Sequence, residues 1–131
     1  MKNYTITVNG NVYSVIGFTT YMQGTGQPTS SYYYWSEGKF CLYGKQTMKL
    51  PAIAGYRLAT VTATTSADAK LIVSKNRLTT SGNKLLDGGL TKSHSIDVLS
   101  LTSANTPYYI VTAAGADIEF SEFKLIYTPA N

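Results

Sequence analysis

The chain has 131 residues, the usual size of one domain, and a chain of that length buries roughly two-thirds of its unfolded surface without help from disulfides or metals. Hydrophobic residues make up 44% and charged residues only 14%, against about 25% charged in typical soluble domains; Thr, Ser and eleven Tyr fill the gap, which excludes a disordered chain and favours strands. The net charge is +4, but the basic residues (Lys39, Lys45, Lys49, Arg57, Lys70, Lys75, Arg77, Lys84, Lys92) are scattered, with no stripe of the kind that nucleic-acid binders present.

Strand periodicity runs from end to end. Tyr4, Ile6 and Val8 alternate with Thr5 and Thr7, and Asn9-Gly10 supplies a hairpin turn before a second strand over Val12–Phe18. This beginning holds no apolar run of signal-peptide length, and no stretch of the chain has the length of a membrane span. The expectation is either a native start for a protein made without a secretion signal, or a trimmed leader with Met1 added. Thr19–Ser31, with Gly24, Gly26 and Pro28, reads as a long loop. Tyr32-Tyr33-Tyr34-Trp35 follows, then a Ser-Glu-Gly turn and a strand over Lys39–Tyr43. That strand contains Cys41, the single cysteine, so no internal disulfide is possible, and its apolar setting reads as burial.

Thr47–Leu50 is a short piece ending at Pro51, and Arg57–Thr65 is the most regular alternation in the chain. Lys70–Lys75 alternates less cleanly, and Ser81–Gly89 reads as a turn-rich connection. Ser95–Leu101, Pro107–Thr112 and Ile118–Tyr127 complete the series. Many short strands divided by turn signals, with no sustained 3.6-residue period, predict one all-β domain over residues 1–131, a sandwich or a barrel, with an antiparallel two-sheet β-sandwich as the expectation. Val61, Val98, Ile110, Leu125 and Tyr127, or their immediate strand partners, are the expected core; Asp97 and Glu119 alternate with apolar neighbours and belong to solvent faces.

Few groups converge for catalysis. His94 is the only histidine, and Ser93 and Ser95 point to the opposite strand face from it. A dyad with Cys41 needs the two residues to meet at a pocket. Asp117 and Glu119, at i and i+2, share one strand face near Glu122; such carboxylates suit an acid–base pair or a calcium ligand set, but no Asp-rich calcium loop accompanies them. Zinc spacing, phosphate-cradling glycines and a dinucleotide fingerprint are missing, and Gly24-Thr25-Gly26 lacks a strand-to-helix context. No cofactor or metal is expected, and no enzymatic activity.

The aromatic residues are the strongest surface candidates. In Tyr32-Tyr33-Tyr34-Trp35 alternate rings share a face, so one pair enters the core and the other stays near solvent, where a ring with a polar handle suits a sugar face or a protein partner. Tyr108 and Tyr109 pose the same choice. Gln27 and Asn105, with Asp87, are candidate polar groups beside such rings.

The stretch Leu50–Thr62, then Leu101–Ile110 followed by Ile118–Tyr127, resembles modules of Bacteroides-type surface proteins with a galactose-binding-like jelly-roll fold, many of them thought to bind carbohydrate. Modules of that kind normally follow a leader peptide or a lipid-anchor cysteine, and neither is seen here. Phages infecting such bacteria make their virion proteins in the host cytoplasm and release them by lysis, and carry small sandwich domains as capsid decoration, auxiliary or fibre-associated proteins. The resemblance therefore implies two readings. The first is a structural attachment protein at a virion surface, bound to other virion or surface-assembly proteins and touching host glycans. The alternative is an extracellular carbohydrate-binding module of a bacterial cell-surface glycan-utilisation or adhesion protein. Neither implies nucleic acid or membrane insertion.

Overall fold

In a computed structural model the chain is described over residues 3–15, 17–22, 32–33, 40–42, 46–77, 84–112 and 117–130, with the side chains of residues 32, 33 and 112 outside that description. The described residues form strands and turns, with no helix: β1 (Tyr4–Val8), β2 (Asn11–Ser14), β3 (Gly17–Phe18), β4 (Thr20–Met22), β5 (Tyr32–Tyr33), β6 (Phe40–Leu42), β7 (Gln46–Leu50), β8 (Tyr56–Ser74), β9 (Lys84–Asp97), β10 (Tyr108–Thr112) and β11 (Ile118–Pro129).

Nine strands form one curled mixed sheet, a half-barrel, in the order β2-β1-β11-β8-β10-β7-β4, with β6 also on β11 and β9 also on β8; β3 and β5 form a separate ribbon. Every pairing among the described strands is antiparallel except β1 with β11, which is parallel. The all-antiparallel expectation is corrected there: alternation fixes which face a side chain takes but not the direction of its neighbour.

The local chemistry explains the strand ends. Asn9 and Gly10 have φ of 52° and 81°, the left-handed pair that a two-residue type I′ hairpin turn requires. The predicted second strand breaks at Val15, giving β2 and β3. Ser95–Leu101 stops at Asp97, whose carboxylate accepts the Leu99 N–H at 3.1 Å and turns the chain. Arg57–Thr65 and Lys70–Lys75 merge into the single long β8. Ser81–Gly89 is corrected more deeply: β9 already begins at Lys84. Between Lys70↔Leu90 and Ile72↔Asp87, one residue of β8, Leu71, faces two of β9, Gly88 and Gly89. This is a β-bulge, with Gly89 at φ 81° and its N–H held by the Asp87 carboxylate at 2.9 Å.

A second irregularity curls the sheet. Between Thr64↔Ser93 and Ala69↔Thr91, β8 carries extra residues: Ser66, Ala67 and Asp68 are exposed, and the buried Thr65 hydroxyl ties the detour by donating to the Ala67 carbonyl at 2.8 Å. The first half of β8 pairs with β11 and the second half with β10. Gly88 and Ile96 show how sharp the bend is. Eight extended residues span about 26 Å, yet a methyl group placed on Gly88 would lie 2.8 Å from Ile96 Cδ1. The two halves of β9 therefore face each other across the interior.

That interior holds all five expected residues: Val61, Val98, Ile110 and Leu125 at 0% exposure and Tyr127 at 3%. Phe18 packs edge-on against Phe40 and Phe123, and Phe120 edge-on against Phe123, while Tyr4 stacks at a tilt on Phe40. The buried hydroxyls are satisfied: Tyr4 donates to the Phe120 carbonyl and Tyr127 to that of Pro51 at 2.6 Å. Each such aromatic or branched side chain contributes about 1.5–3 kcal/mol by leaving water.

Candidate interaction surface

On β10 the strand alternation separates the two tyrosines. Tyr108 lies with Ile110 on the core side, is buried, and its Oη accepts the Ser103 N–H at 2.7 Å. It serves packing rather than a surface. Tyr109 takes the other face, opposite Lys49 of β7. Tyr21 of β4 lies opposite Thr47 of the same β7, so the two rings flank β7 diagonally. They meet over it, centroids 6.2 Å apart and planes at 67°. Thr47 is small and fully buried; its hydroxyl donates to the Arg77 carbonyl at 3.1 Å. That bond holds Arg77 where its guanidinium sits 4.7 Å from the Tyr21 ring centre, a cation–π distance. Burial raises the Tyr109 hydroxyl pKa, with Tyr21 adding to the shift and Arg77 opposing it. The result is a half-exposed aromatic ridge flanked by Arg77 and, in register, by Lys49.

Tyr21 and Arg77 were not singled out in the sequence. The β-branched and aromatic run Thr20-Tyr21-Met22 is the signal for the former, overshadowed by the glycines after it; Arg77 carries no local signal. Of the other sequence candidates, Tyr32 and Tyr33 lie in β5, opposite Phe18 and Gly17 of β3, with side chains outside the described residues. Gln27, Tyr34 and Trp35 lie outside them altogether. Asn105 sits apart from the ridge in a turn. Its φ is 57°, its Oδ1 accepts the Gly55 N–H at 2.7 Å, and its own N–H donates to the Tyr56 carbonyl. Arg57 fastens the same loop by donating to the Leu99 and Thr102 carbonyls, so Asn105 holds two turns together. Asp87 pairs with Lys70 at 3.0 Å; the Gly89 N–H and then Lys70 hold its carboxyl below the usual range.

The two members of the possible His94–Cys41 dyad stay apart. His94 is buried opposite Ala63, with Nε2 3.4 Å from Thr65 Oγ1, while Ser93 and Ser95 face solvent. Burial lowers the His94 pKa, partly offset by the Thr91 backbone. Cys41 lies on β6, three strand spacings from β9, about 14 Å. Its thiol is pushed up to about 11 by burial, then by Asp117 and Glu119. Those two carboxylates line a shallow cavity of about 320 Å³ with Asp68, Lys70 and Leu90, beside the β8 detour. Glu122 pairs with Lys124 at 3.4 Å. Among the described residues no three His, Cys, Asp or Glu side chains are grouped to hold a metal ion, and no helix is long and apolar enough to cross a membrane. Set against known protein families, curated proteins and solved structures, the chain matches none of them.

Proposed function

We propose that this protein is a non-enzymatic attachment component of a larger assembly, at a virion surface, and that the Tyr21–Tyr109 ridge with Arg77 is its docking face. The ridge itself carries the reading: two tyrosine rings kept out of the core and flanked by cations have the composition of an interface anchor, where Tyr and Arg are enriched. Two rings at 67° do not lie flat together on one sugar face, and Arg77 already covers one side of Tyr21. Both features favour a protein partner with acidic groups over the glycan platform of a carbohydrate-binding module. The finer architecture belongs to the same proposal. The bends in β8 and β9 support a two-layer sandwich of jelly-roll type: β2, β1, β11, the first half of β8 and the second half of β9 in one layer, and β4, β7, β10 and the remaining halves in the other.

The test is co-sedimentation of the purified chain with capsids of phages that infect Bacteroides-type hosts, run beside a glycan array and a panel of glycosidase, esterase and peptidase substrates. Attachment that Tyr109→Ala and Arg77→Glu abolish at unchanged melting temperature, with a silent array and no turnover, is the expected result. Glycan binding that the same variants lose, without capsid attachment, transfers the assignment to a carbohydrate-binding module.

A further inference from the structure

At the other end of the strand order from β4 lies β2, an edge strand among the described residues. The hairpin register fixes where its backbone groups point. Val15 N–H donates to the Tyr4 carbonyl at 2.8 Å, and in an antiparallel ladder bonded residues alternate with non-bonded ones. Tyr13↔Ile6 and Asn11↔Val8 are therefore the other bonded pairs, while Val12↔Thr7 is non-bonded. The β1 side agrees: Asn3, odd-numbered like Thr5 and Thr7, turns its carbonyl toward β11, where it accepts the Phe123 N–H. The Val12 N–H and C=O thus point away from the sheet. The Val12 side chain is 65% exposed and that of Tyr13 56%. Open edges are normally blunted by Lys, Pro or a bulge, and Asn11-Val12-Tyr13-Ser14 has none of these.

We propose that this edge pairs with the same edge of a second copy, antiparallel, about a two-fold axis at Val12. In that register Val12 N–H donates to the Val12 carbonyl of the copy and receives the reciprocal bond, so both outward groups of Val12 are satisfied by the same groups of the partner; this is the self-complementarity that a two-fold interface requires. Side chains agree with the backbone. Val12, Thr7 and Ile126 form one row on the solvent face, with Ile126 itself 39% exposed. Two-fold pairing brings Val12 against Val12 and joins the two rows into one continuous apolar stripe, with no charge on either strand to oppose it. The pairing uses none of Tyr21, Tyr109 or Arg77 and does not depend on their role; it leads to an assembly with two docking ridges.

A self-paired position allows a test specific to a second copy. In sedimentation at high micromolar concentration the wild-type chain is expected at twice its 14.2 kDa mass. Val12→Lys and Val12→Glu each place like charges face to face at the axis and are expected to sediment as monomers, with melting close to that of the wild-type chain once both are diluted to the monomer, because the side chain is exposed. Mixing the two variants sets opposite charges across the axis and is expected to restore the dimer, whereas Val12→Thr remains dimeric throughout. A monomeric wild-type chain, a dimer that survives Val12→Lys, or a mixture that stays monomeric overturns the proposal. So does a monomer whose edge instead captures an added extended peptide, which would assign the edge to a foreign strand.

Discussion

Gly88→Ala probes the fold where its two halves meet. The added methyl lands 2.8 Å from Ile96 Cδ1, 3.1 Å from Ile96 Cγ1 and 3.1 Å from the Leu71 carbonyl oxygen. Ordinary carbon contacts begin near 3.5 Å, so Ile96 has to move by more than half an ångström, and it is only 2% exposed. Overpacking of this kind costs about 1–3 kcal/mol. Replacing Gly restricts the unfolded chain and returns about 0.4–1 kcal/mol, leaving a net loss of about 1–2 kcal/mol, or roughly 4–8 °C in melting temperature. Ile96→Val removes Cδ1, the nearest atom, and alone costs about 0.5–1.5 kcal/mol. Because the methyl meets Cδ1, the double variant Gly88→Ala/Ile96→Val is expected to be less destabilised than the sum of the two, by about 1 kcal/mol. Denaturant unfolding of the four proteins measures this directly. A neutral Gly88→Ala, or strict additivity, refutes the picture of β9 folded back on itself.

The turn glycine Gly10 isolates the backbone contribution: a Cβ there meets nothing within 4 Å, but φ is 81°, so Gly10→Ala is expected to cost about 1 kcal/mol in the same unfolding assay. His94 gives a pH signature. Burial depresses its folded pKa below 6.5, so between 6.5 and that lower value the unfolded chain binds a proton that the folded chain refuses. Stability therefore falls as pH drops through this window and is indifferent to His94 above it; His94→Gln flattens the dependence between pH 7 and 5, as followed by melting temperature. Cys41, with its thiol raised from 9.0 to about 11, carries about a hundredfold less thiolate at pH 8 than an ordinary cysteine. A thiol reagent is expected to label it only once the protein is unfolded in guanidinium, and rapid labelling of the native chain contradicts its placement in β6.

What could be read from the sequence was the strand face, and what could not was the strand's neighbour. Val61 and Leu125 followed from period-2 alternation because each lies on a strand with one dominant apolar face, and Val98 continues the alternation of Ile96 one residue past the end of β9. Asp87-Gly88-Gly89 misled for a physical reason: Asp-Gly and Gly-Gly are turn formers, but glycine inside a long strand also marks a bulge or a close approach, and here Gly89 supplies the first and Gly88 the second. The gap between Arg57–Thr65 and Lys70–Lys75 looked like a break because Ser66-Ala67-Asp68 lacks a large apolar side chain; it is the detour that lets one strand serve both halves of the sheet. The parallel β1–β11 pair joins opposite ends of the chain, beyond the reach of any local pattern.

The ridge was half legible for a related reason. Alternation requires that Tyr108 and Tyr109 part company, but choosing between them needs a face known to be inside. Here both faces of β10 are covered: Ile110 is fully buried on one side and Val111 is 4% exposed on the other. A strand packed on both faces gives no polar side to point outward, so Pro107-Tyr108-Tyr109-Ile110-Val111 reads the same in either orientation. The choice is made by β7, whose Met48 and Leu50 join Ile110 and Tyr108 in the core, while Thr47 opens the space over which Tyr21, Tyr109 and Arg77 gather. Residues 21, 77 and 109 become neighbours only because that one small side chain leaves room for them. Thr47→Leu is therefore expected to displace the rings and Arg77 together while leaving the interior packing of Met48 and Ile110 in place.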